Sequence, residues 1–535
     1  MTLVPGQRVE VGGERATVRW EGEVGNTGQV WLGVEWDKTG RGKHDGNHNG
    51  VNYFSPVRPG NNSSFIKRSK VTEWGKGLLA AVSSKYGIVD GVTAGVDQKH
   101  IDELQAEIGA RFVEVVGFDK VNKQQSQMKK LRTVSVRNMG VCGGGDGDLS
   151  CELPSLRDLD LSESLISSWS EVAKIVNDLK LSTLDLSDNL IDVATLSPET
   201  REMPTVKHLV LGNMLYSGYT WDQVLQVTSR LESLSILQVH NNSISRLSSF
   251  DKNTLSNLTE LDLDGNNISD WTEVNKVSGL PALQHLRLNG NKLTNVVILP
   301  GTFAKLESLH LTDNCIADWP HIGSLNLLGL THLRLRNNPV ISSCKDDEVA
   351  RQLIIARISS IKTLNATAIT SSERKWAEID YLKKYGQGWL QISKLDNGPE
   401  KSDSLKTFLD GHNRYDEIVK TYGEPDPSDG VKVDTTLKAS LLRLKIRSPD
   451  VIGSAETVKK IPSSMNVRAL RALLQRLYKR QAGNTKLRIS LLSDTEDEVE
   501  IDNDMRDISF YSVKDGDTLL VRWSEPGKMP IVTDL

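Results

Sequence analysis

The stretch LTELDLDGN, residues 258–266, carries the apolar pattern that decides the fold of the middle of the chain. Leu258, Leu261 and Leu263 follow an L-x-x-L-x-L spacing, and Asn266 comes three residues after the last leucine. Side chains alternate between the two faces of a strand, so Leu261 and Leu263 point to the same face. The pattern predicts a very short strand with buried leucines, and an asparagine that satisfies backbone groups where the chain turns.

The same pattern recurs along the chain at a nearly constant interval. Its central position falls 23 to 28 residues apart, at Leu159, Leu184, Leu209, Leu237, Leu261, Leu286, Leu309 and Leu333. This interval lies within the range of about 20 to 29 residues that is typical of leucine-rich repeats. LRTVSVRNM, with Val134 one period earlier, fits a degenerate first repeat. One repeat cannot bury its own apolar face, so we expect a stacked α/β solenoid over residues 129–344.

Residues between the strand leucines are predicted to line the concave face, because alternation turns them away from the core. They are acidic in the early repeats and basic in the later ones: Asp158, Asp160, Asp185, Glu260, Asp262, Asp264, Arg287, His310, His332, Arg334 and Arg336. This split would suit a partner that carries charges of both signs in fixed register. A merely solvated charged face stays open as the alternative.

The segments after the repeats change character. Residues 345–386 predict an apolar helix, a strand-like IKTL and a charged helix, as expected of a terminal cap. Residues 387–436 contain clusters of Pro, Gly, Ser and Asp typical of a linker, around a short helical stretch. Residues 437–525 combine a predicted hairpin, an amphipathic helix with Asn466 as its N-cap, and three further strands. This order resembles the ubiquitin-like β-grasp, and the tail at 526–535 has no terminal Gly-Gly, so we expect a docking module.

Composition excludes several classes of function. The 535 residues carry a net charge of −4 with Lys and Arg scattered along the chain, so nucleic acid is not an expected partner. No apolar stretch approaches the length of a signal peptide or of a membrane span, which predicts a cytosolic protein that does not enter membranes. The four cysteines lack CxxC spacing and are expected to be reduced thiols.

The first 74 residues alternate short strands with glycines and contain the loop RGKHDG at 41–46. They resemble a CAP-Gly domain, a small glycine-rich β module, and residues 75–128 are expected to be a connecting segment. The matching positions are Gly33, Val34, Glu35, Trp36, Asp37, Gly42, Lys43, His44, Asp45, Gly46, Tyr53, Phe54, Phe65 and Ile66. Most of that family has Asn where this chain has His44, whereas its tubulin cofactor members carry GKHDG.

In this family the loop and its neighbouring aromatic residues form a groove for the acidic C-terminal tail of a partner, typically α-tubulin. The resemblance therefore implies a tubulin-tail site at Trp31, Trp36, Gly42, Lys43, His44, Asp45, Gly46, Phe54 and Phe65. Lys43 would meet a carboxylate, and the aromatic residues would line an apolar slot. Two alternatives stay open: Trp36 as an ordinary core residue, and Asp45 as a residue that holds the turn of its own loop.

Catalytic and metal chemistries are not expected. DKTG at 37–40 matches a phosphorylated tetrad of ion pumps but lacks the surrounding domain, and GKHDG lacks the frame of a phosphate-binding loop. His44 and His48 lack paired Cys or carboxylate ligands at metal-binding spacing. We expect no enzyme activity, no cofactor and no metal site.

A CAP-Gly module, a leucine-rich solenoid and a ubiquitin-like domain, in this order, resemble the tubulin-folding cofactor E family. WLGVEWD, RGKHDG, KQQSQ and FYSVKDGDTLLVRW support the resemblance. It implies a cytoplasmic, cytoskeleton-associated chaperone that takes α-tubulin from cofactor B. With cofactors C and D and β-tubulin, it would assemble and dissociate αβ heterodimers. The rival interpretation is a microtubule-associated adaptor or scaffold without chaperone action, although the coiled coils or basic tracts usual in adaptors are missing.

Overall fold

The computed structural model describes residues 5–25, 28–87, 128–198, 200–216, 218–249, 254–427, 441–450, 456–478, 487–492, 498–504, 506–511 and 513–522. The chain divides into two compact units: Met1–Tyr381 with Asp396–Thr421, and Leu382–Leu395 with Tyr422–Leu535. Most of the predicted connecting segment, residues 88–127, lies outside the described residues.

The N-terminal module is built on an antiparallel sheet. Its strands are β1 (Arg8–Val11), β2 (Glu14–Glu23), β3 (Val30–Trp36), β4 (Asn47–His48), β5 (Val51–Asn52) and β6 (Ser63–Ile66). The sheet order is β1-β2-β3-β6, and β4 and β5 form a separate hairpin. One face carries the core of the module: Val9, Val11, Ala16, Val18, Leu32, Val34 and Trp36. A bulge in β2 between Val18 and Trp20 places Trp20 opposite Gly33, on the other face.

The solenoid follows the predicted repeat. The next elements are β7 (Lys76–Gly77), α1 (Leu78–Tyr86), β8 (Thr133–Ser135), β9 (Val141–Gly143), α2 (Leu149–Glu152), β10 (Asp158–Asp160), α3 (Trp169–Leu179), β11 (Thr183–Asp185), β12 (His208–Val210), α4 (Trp221–Thr228), β13 (Ile236–Gln238), β14 (Glu260–Asp262), α5 (Trp271–Asn275), β15 (His285–Arg287), β16 (Ser308–His310), α6 (Trp319–Ser324) and β17 (His332–Arg334). β8 and β10 to β17 run parallel in one sheet, and the central repeat leucines pair with one another in register. The predicted leucine-rich solenoid is confirmed.

The consensus asparagines form a buried ladder. The Asn266 amide donates to the carbonyls of Val239 and Leu263, at 3.1 and 3.0 Å, and its Oδ1 accepts from the backbone N–H groups of Asn242 and Ile244, both at 3.0 Å. Asn189, Asn242, Asn291, Asn314 and Asn338 make equivalent bonds. Each asparagine satisfies backbone groups of its own turn, as the pattern predicted, and also joins that turn to the preceding repeat.

Segment α1 belongs to the solenoid, although sequence analysis placed it in the connecting segment. Leu78, Ala81 and Val82 are buried in the same core cluster as the repeat leucines. The Tyr86 hydroxyl accepts from the backbone N–H of Ser135 in β8, at 3.2 Å. α1 therefore covers apolar surface at the first strand of the solenoid.

The far end of the solenoid is followed by α7 (Pro339–Ser342), α8 (Asp347–Arg357), β18 (Thr363–Leu364), β19 (Thr367–Ala368), α9 (Ser371–Ser393), α10 (Pro399–Gly411) and α11 (Tyr415–Tyr422). The apolar helix, the IKTL strand and the charged helix are all present, and β18 extends the parallel sheet. α9 continues past the predicted boundary at residue 386, through two glycines. Beyond them Trp389 is buried, and its indole N–H donates to Glu424 Oε2 at 2.8 Å.

The second unit contains the predicted ubiquitin-like fold. Its elements are β20 (Leu441–Arg447), β21 (Thr457–Pro462), α12 (Val467–Leu477), β22 (Arg488–Leu492), β23 (Glu498–Glu500) and β24 (Thr518–Arg522), and the sheet order is β21-β20-β24-β22-β23. Asn466 is the N-cap of α12, because its Oδ1 accepts from Ala469 N–H at 2.8 Å. Val467, Leu470 and Leu474 form the buried face of α12.

Candidate functional site: an aromatic groove on the N-terminal module

Six rings gather on the face of the N-terminal sheet that lies opposite its core. We call Trp20, His44, His48, Tyr53, Phe54 and Phe65 the aromatic cluster. Phe65 lies at its centre, 5.7 Å from Trp20, 5.2 Å from Tyr53 and 5.8 Å from Phe54, measured between ring centroids. His44 stacks on Phe65 at 4.5 Å. Phe54 is buried, whereas the other five rings are half-buried or exposed, so the cluster leaves apolar ring surface open to solvent.

Glycines in the strands make room for these rings. A Cβ on Gly33 would lie 2.3 Å from Phe54 Cε1, and a Cβ on Gly22 would lie 2.5 Å from Trp20 Cζ2. Both distances are far shorter than a van der Waals contact, so any side chain at either position would displace its ring. The glycines thus let the rings lie directly on the strand backbone.

The loop RGKHDG is held against the start of β6. Lys43 N–H donates to the Ser63 carbonyl at 2.7 Å, and Ser63 N–H donates to the His44 carbonyl at 2.9 Å. A Cβ on Gly42 would lie 2.2 Å from the backbone of Ser63, and one on Gly46 would lie 1.9 Å from the Phe54 carbonyl oxygen. Gly46 also has a φ of +94°. Both positions therefore require glycine, because the backbone of another segment lies too close to leave room for a Cβ atom.

Two side chains of this loop stabilise its conformation. His44 Nδ1 accepts from the backbone N–H of Gly46 at 3.0 Å, and burial, followed by the nearby His48, lowers the pKa of His44. Asp45 Oδ1 accepts from both the side-chain amide and the backbone N–H of Asn47, at 3.0 and 3.2 Å, and these bonds lower the pKa of Asp45. These bonds support the alternative in which Asp45 holds its own turn.

Three of the predicted site residues, Lys43, Trp31 and Trp36, lie outside the aromatic cluster. Lys43 is exposed, and its ammonium group has no ion-pair partner among the described residues. Trp31 lies outside the cluster, with the Lys67 ammonium 5.7 Å from its ring centroid. Trp36 lies in the core on the opposite face, where its indole N–H donates to Ser64 Oγ at 3.0 Å. The structure thus supports the core interpretation of Trp36.

Sequence analysis missed Trp20, His48 and Tyr53 as parts of this groove. Strict alternation along β2 places Trp20 with Ala16 and Val18 in the core, and only the bulge reverses its direction. Tyr53 matches the family motif, but its contacts with Trp20 and Phe65 depend on the fold of the loop.

A buried carboxylate positions the loop that carries Phe54. Glu35 is fully buried and accepts from the backbone N–H groups of Val57 and Arg58, both at 3.0 Å. It also forms an ion pair with Arg19 at 2.9 Å. Glu35 therefore fixes the chain that returns from the aromatic cluster toward β6.

The predicted concave residues lie in or directly after the solenoid strands, and many of their charges are already compensated. Arg287 pairs with Asp262 at 3.3 Å and with Asp264 at 3.2 Å, which joins the acidic and basic halves. Asp160 and Asp185 each accept a backbone N–H two residues further on, at 2.9 and 2.8 Å. His332, Arg334 and Arg336 remain exposed, whereas His310 is half-buried.

The described residues contain no group of three or more His, Cys, Asp or Glu side chains placed to hold a metal ion. All four cysteines fall within the described ranges, and none of them forms a disulfide there. No helix in these ranges has the length and apolar character that crossing a membrane requires.

Comparisons with known proteins identify the family of this chain. Residues 5–71 match the family model of the CAP-Gly domain. The chain is 38% identical over 532 residues to tubulin-specific chaperone E of Bos taurus and 36% identical over 531 residues to that of Homo sapiens; each alignment covers 97% of this chain and 98% of the relative. The solved ubiquitin-like domain of mouse tubulin-specific chaperone e is 36% identical, covers 18% of this chain and 99% of that structure, and has a TM-score of 0.16. The chain belongs to the tubulin-specific chaperone E family.

Proposed function

We propose that this chain is a tubulin-folding cofactor whose aromatic groove binds the acidic C-terminal tail of α-tubulin. The observation that carries the proposal is the half-exposed aromatic cluster beside Lys43, whose ammonium group has no ion-pair partner among the described residues. An acidic peptide that ends in an aromatic residue fits both features. The names of the family relatives support tubulin as the target.

The binding energy would come from two sources. A hydrogen bond between an ammonium group and a carboxylate is roughly twice as strong as a neutral one. A buried aromatic anchor often contributes most of the binding energy of an interface. In this groove Lys43 would bind a carboxylate, while Phe65, Trp20 and Tyr53 would contact the aromatic residue of the tail. Higher salt should weaken the complex, because exposed charges are screened.

The repeats would hold the body of α-tubulin on their concave face while the tail is bound. Tethering by the tail would raise the effective concentration of the body near the repeats to about the millimolar range. We propose that the protein acts in the cytoplasm, at the cytoskeleton, with tubulin cofactors B, C and D. With them and β-tubulin it would assemble and dissociate αβ heterodimers, and the ubiquitin-like domain would recruit another cofactor. No catalytic step by this chain is part of the proposal.

Tail binding can be tested by calorimetry with a synthetic α-tubulin tail peptide. We expect Lys43→Ala to weaken binding by about 1 to 2 kcal/mol, or roughly 5- to 30-fold, because a charge-assisted bond is lost. Lys38→Ala is the matched control: it removes the same charge from an exposed lysine that is paired with Glu14 at 3.5 Å. Equal binding by the Lys43→Ala and Lys38→Ala variants would remove Lys43 from the site.

Chaperone action can be separated from the adaptor alternative by size-exclusion chromatography with light scattering. The unmodified chain is mixed with αβ-tubulin, with and without cofactor B. Retention of α-tubulin with release of β-tubulin would support a chaperone that separates the subunits. Binding of intact heterodimers that is abolished when the acidic tail is cleaved would favour the adaptor.

A further inference from the structure

Among the described residues, the N-terminal module and the β7 segment that follows it contact the repeats at three separate places. At the first, β7 pairs with β9, and the Lys76 N–H donates to the Gly140 carbonyl at 2.9 Å. At the second, the Arg15 guanidinium donates to the Asn138 side chain and lies 3.9 Å from Glu163. At the third, the Tyr216 side chain, from the turn after β12, contacts the module. No contact among these three involves a ring of the aromatic cluster.

Tyr216 has a backbone conformation that costs free energy. Its φ is +71°, a left-handed conformation that glycine adopts far more easily than a tyrosine. Its hydroxyl is buried beside the Thr17 side chain of β2, and burial raises the pKa of that hydroxyl. A strained backbone persists where the surrounding structure holds it, and such strain is concentrated at functional positions.

The Tyr216 ring contacts the module through Arg58. The Arg58 guanidinium lies 4.1 Å from the centroid of the Tyr216 ring, a cation–π geometry. The same guanidinium donates to the Asp37 carbonyl at 3.0 Å, and the Arg58 backbone N–H is bound by Glu35. Arg58 also lies four residues after Phe54. Tyr216 therefore contacts the segment that carries part of the aromatic cluster.

The interface beside Tyr216 is open. A cavity of about 760 Å³ lies between the module and the repeats, lined by Arg8, Arg19 and Val57 on one side and by Leu165, Ile191 and Tyr216 on the other. Close packing does not fix the module over this area. Its orientation about the β7–β9 attachment therefore depends on a few local contacts, among them that of Tyr216 with Arg58.

We propose that Tyr216 is a latch that holds the N-terminal module at one fixed angle to the repeats. The aromatic groove and the concave face then form one preorganised receptor with two binding surfaces, a consequence that rests on the function proposed above. Preorganisation raises affinity because less orientational freedom is lost when both surfaces bind the same partner. The latch would thus contribute to the binding of whole tubulin without touching it.

The latch itself can be tested without tubulin, by hydrogen exchange on the full chain. Tyr216→Ala should accelerate exchange of the Val57 and Arg58 amides at least tenfold, because the loop loses its cover. Tyr216→Phe keeps the ring and should exchange like the unmodified chain. Tyr216→Gly also removes the ring but suits the left-handed backbone, so it serves if the alanine variant is unstable. Unchanged exchange at residues 57 and 58 in the Ala or Gly variant would overturn the proposal.

The effect of the latch on tubulin binding is tested by two measured affinities, one for the isolated tail peptide and one for whole αβ-tubulin. We expect Tyr216→Ala to bind the isolated tail peptide within about twofold of the unmodified chain, and to bind whole αβ-tubulin about tenfold more weakly. Tyr216→Phe should match the unmodified chain in both measurements. Equal affinity of the Ala variant for whole tubulin would contradict the role of the latch in binding. If the unmodified chain fails to bind the tail peptide, the proposed function fails, while the exchange experiment still decides the latch.

Discussion

The asparagine ladder of the solenoid and the aromatic cluster of the N-terminal module are both held by backbone contacts, but they are assembled differently. Asn266 bonds to its own turn and to the preceding repeat, and the other ladder asparagines repeat the same bonds. Phe65 instead collects rings from β2, from the RGKHDG loop and from the segment after β5. Repetition produces a uniform scaffold, whereas the candidate binding site lies where the sequence does not repeat.

The largest effect is expected in the ladder. Asn266→Ala should lower the free energy of unfolding by about 3 kcal/mol, because each buried group left without a partner costs about 1 to 3 kcal/mol. Asn267→Ala is the matched control, since the side chain of Asn267 makes one long contact, at 3.5 Å, to the Ser243 carbonyl. Urea unfolding, followed by circular dichroism, measures the free energy of unfolding of both variants. Similar losses in the two variants would show that the ladder is not specially stabilising.

The next effect is expected in the loop that borders the cluster. Gly46→Ala should weaken tail-peptide binding more than tenfold, because its Cβ would overlap the Phe54 carbonyl and displace the loop. Gly50→Ala controls for backbone strain: Gly50 also has a positive φ, of +81°, but a Cβ there would meet no atom within 4 Å. Calorimetry with the tail peptide compares the affinities of the Gly46→Ala and Gly50→Ala variants. Equal losses would assign the effect to backbone strain and not to the shape of the groove.

A smaller effect should separate the two faces of the N-terminal sheet. Trp20→Leu should reduce peptide affinity about fivefold, close to 1 kcal/mol, with little change in stability, because Trp20 lies on the open face. Trp36→Leu should reverse this result, lowering stability by roughly 2 to 3 kcal/mol and leaving the affinity of the folded protein nearly unchanged. Peptide titration and thermal unfolding of both variants test the assignment. A binding loss confined to Trp36→Leu would contradict it.

The smallest effect concerns acid stability on the concave face. Burial, followed by the charges of Arg334 and Arg287, lowers the pKa of His310 from 6.5 to about 4. As pH falls below 6.5 the unfolded chain binds the proton first, so the stability from neutral His310 is present above that pH and is lost toward about pH 4. His310→Asn should therefore lose less stability over this range. His332 is an exposed histidine on the next strand, β17. The His332→Asn variant should therefore lose as much stability over this pH range as the unmodified chain does.

Much of the fold could be predicted because its signals are local or periodic. The repeat interval predicted the pairing of Leu261 with its neighbours, and Asn466 was identified as a helix cap from its place before an amphipathic run. The boundary between cap and linker, predicted at residue 386, falls inside α9, since this helix continues to Ser393 and Trp389 is buried beyond the boundary. α1 carried no repeat signal, so its burial in the solenoid core was not predicted.

Sequence by itself determined the order of the three folded regions, the stacking of the repeats and the RGKHDG loop that carries Lys43, because short-range periodicity and glycine placement encode them. Tertiary structure decided which rings meet at the groove, which tryptophan joins the core, and how Tyr216 reaches Arg58. It also paired Arg287 with Asp262 and Asp264, so that part of the predicted charge split is neutralised within the face. These outcomes depend on a single bulge and on contacts between residues far apart in the chain, and neither leaves a periodic trace in the sequence.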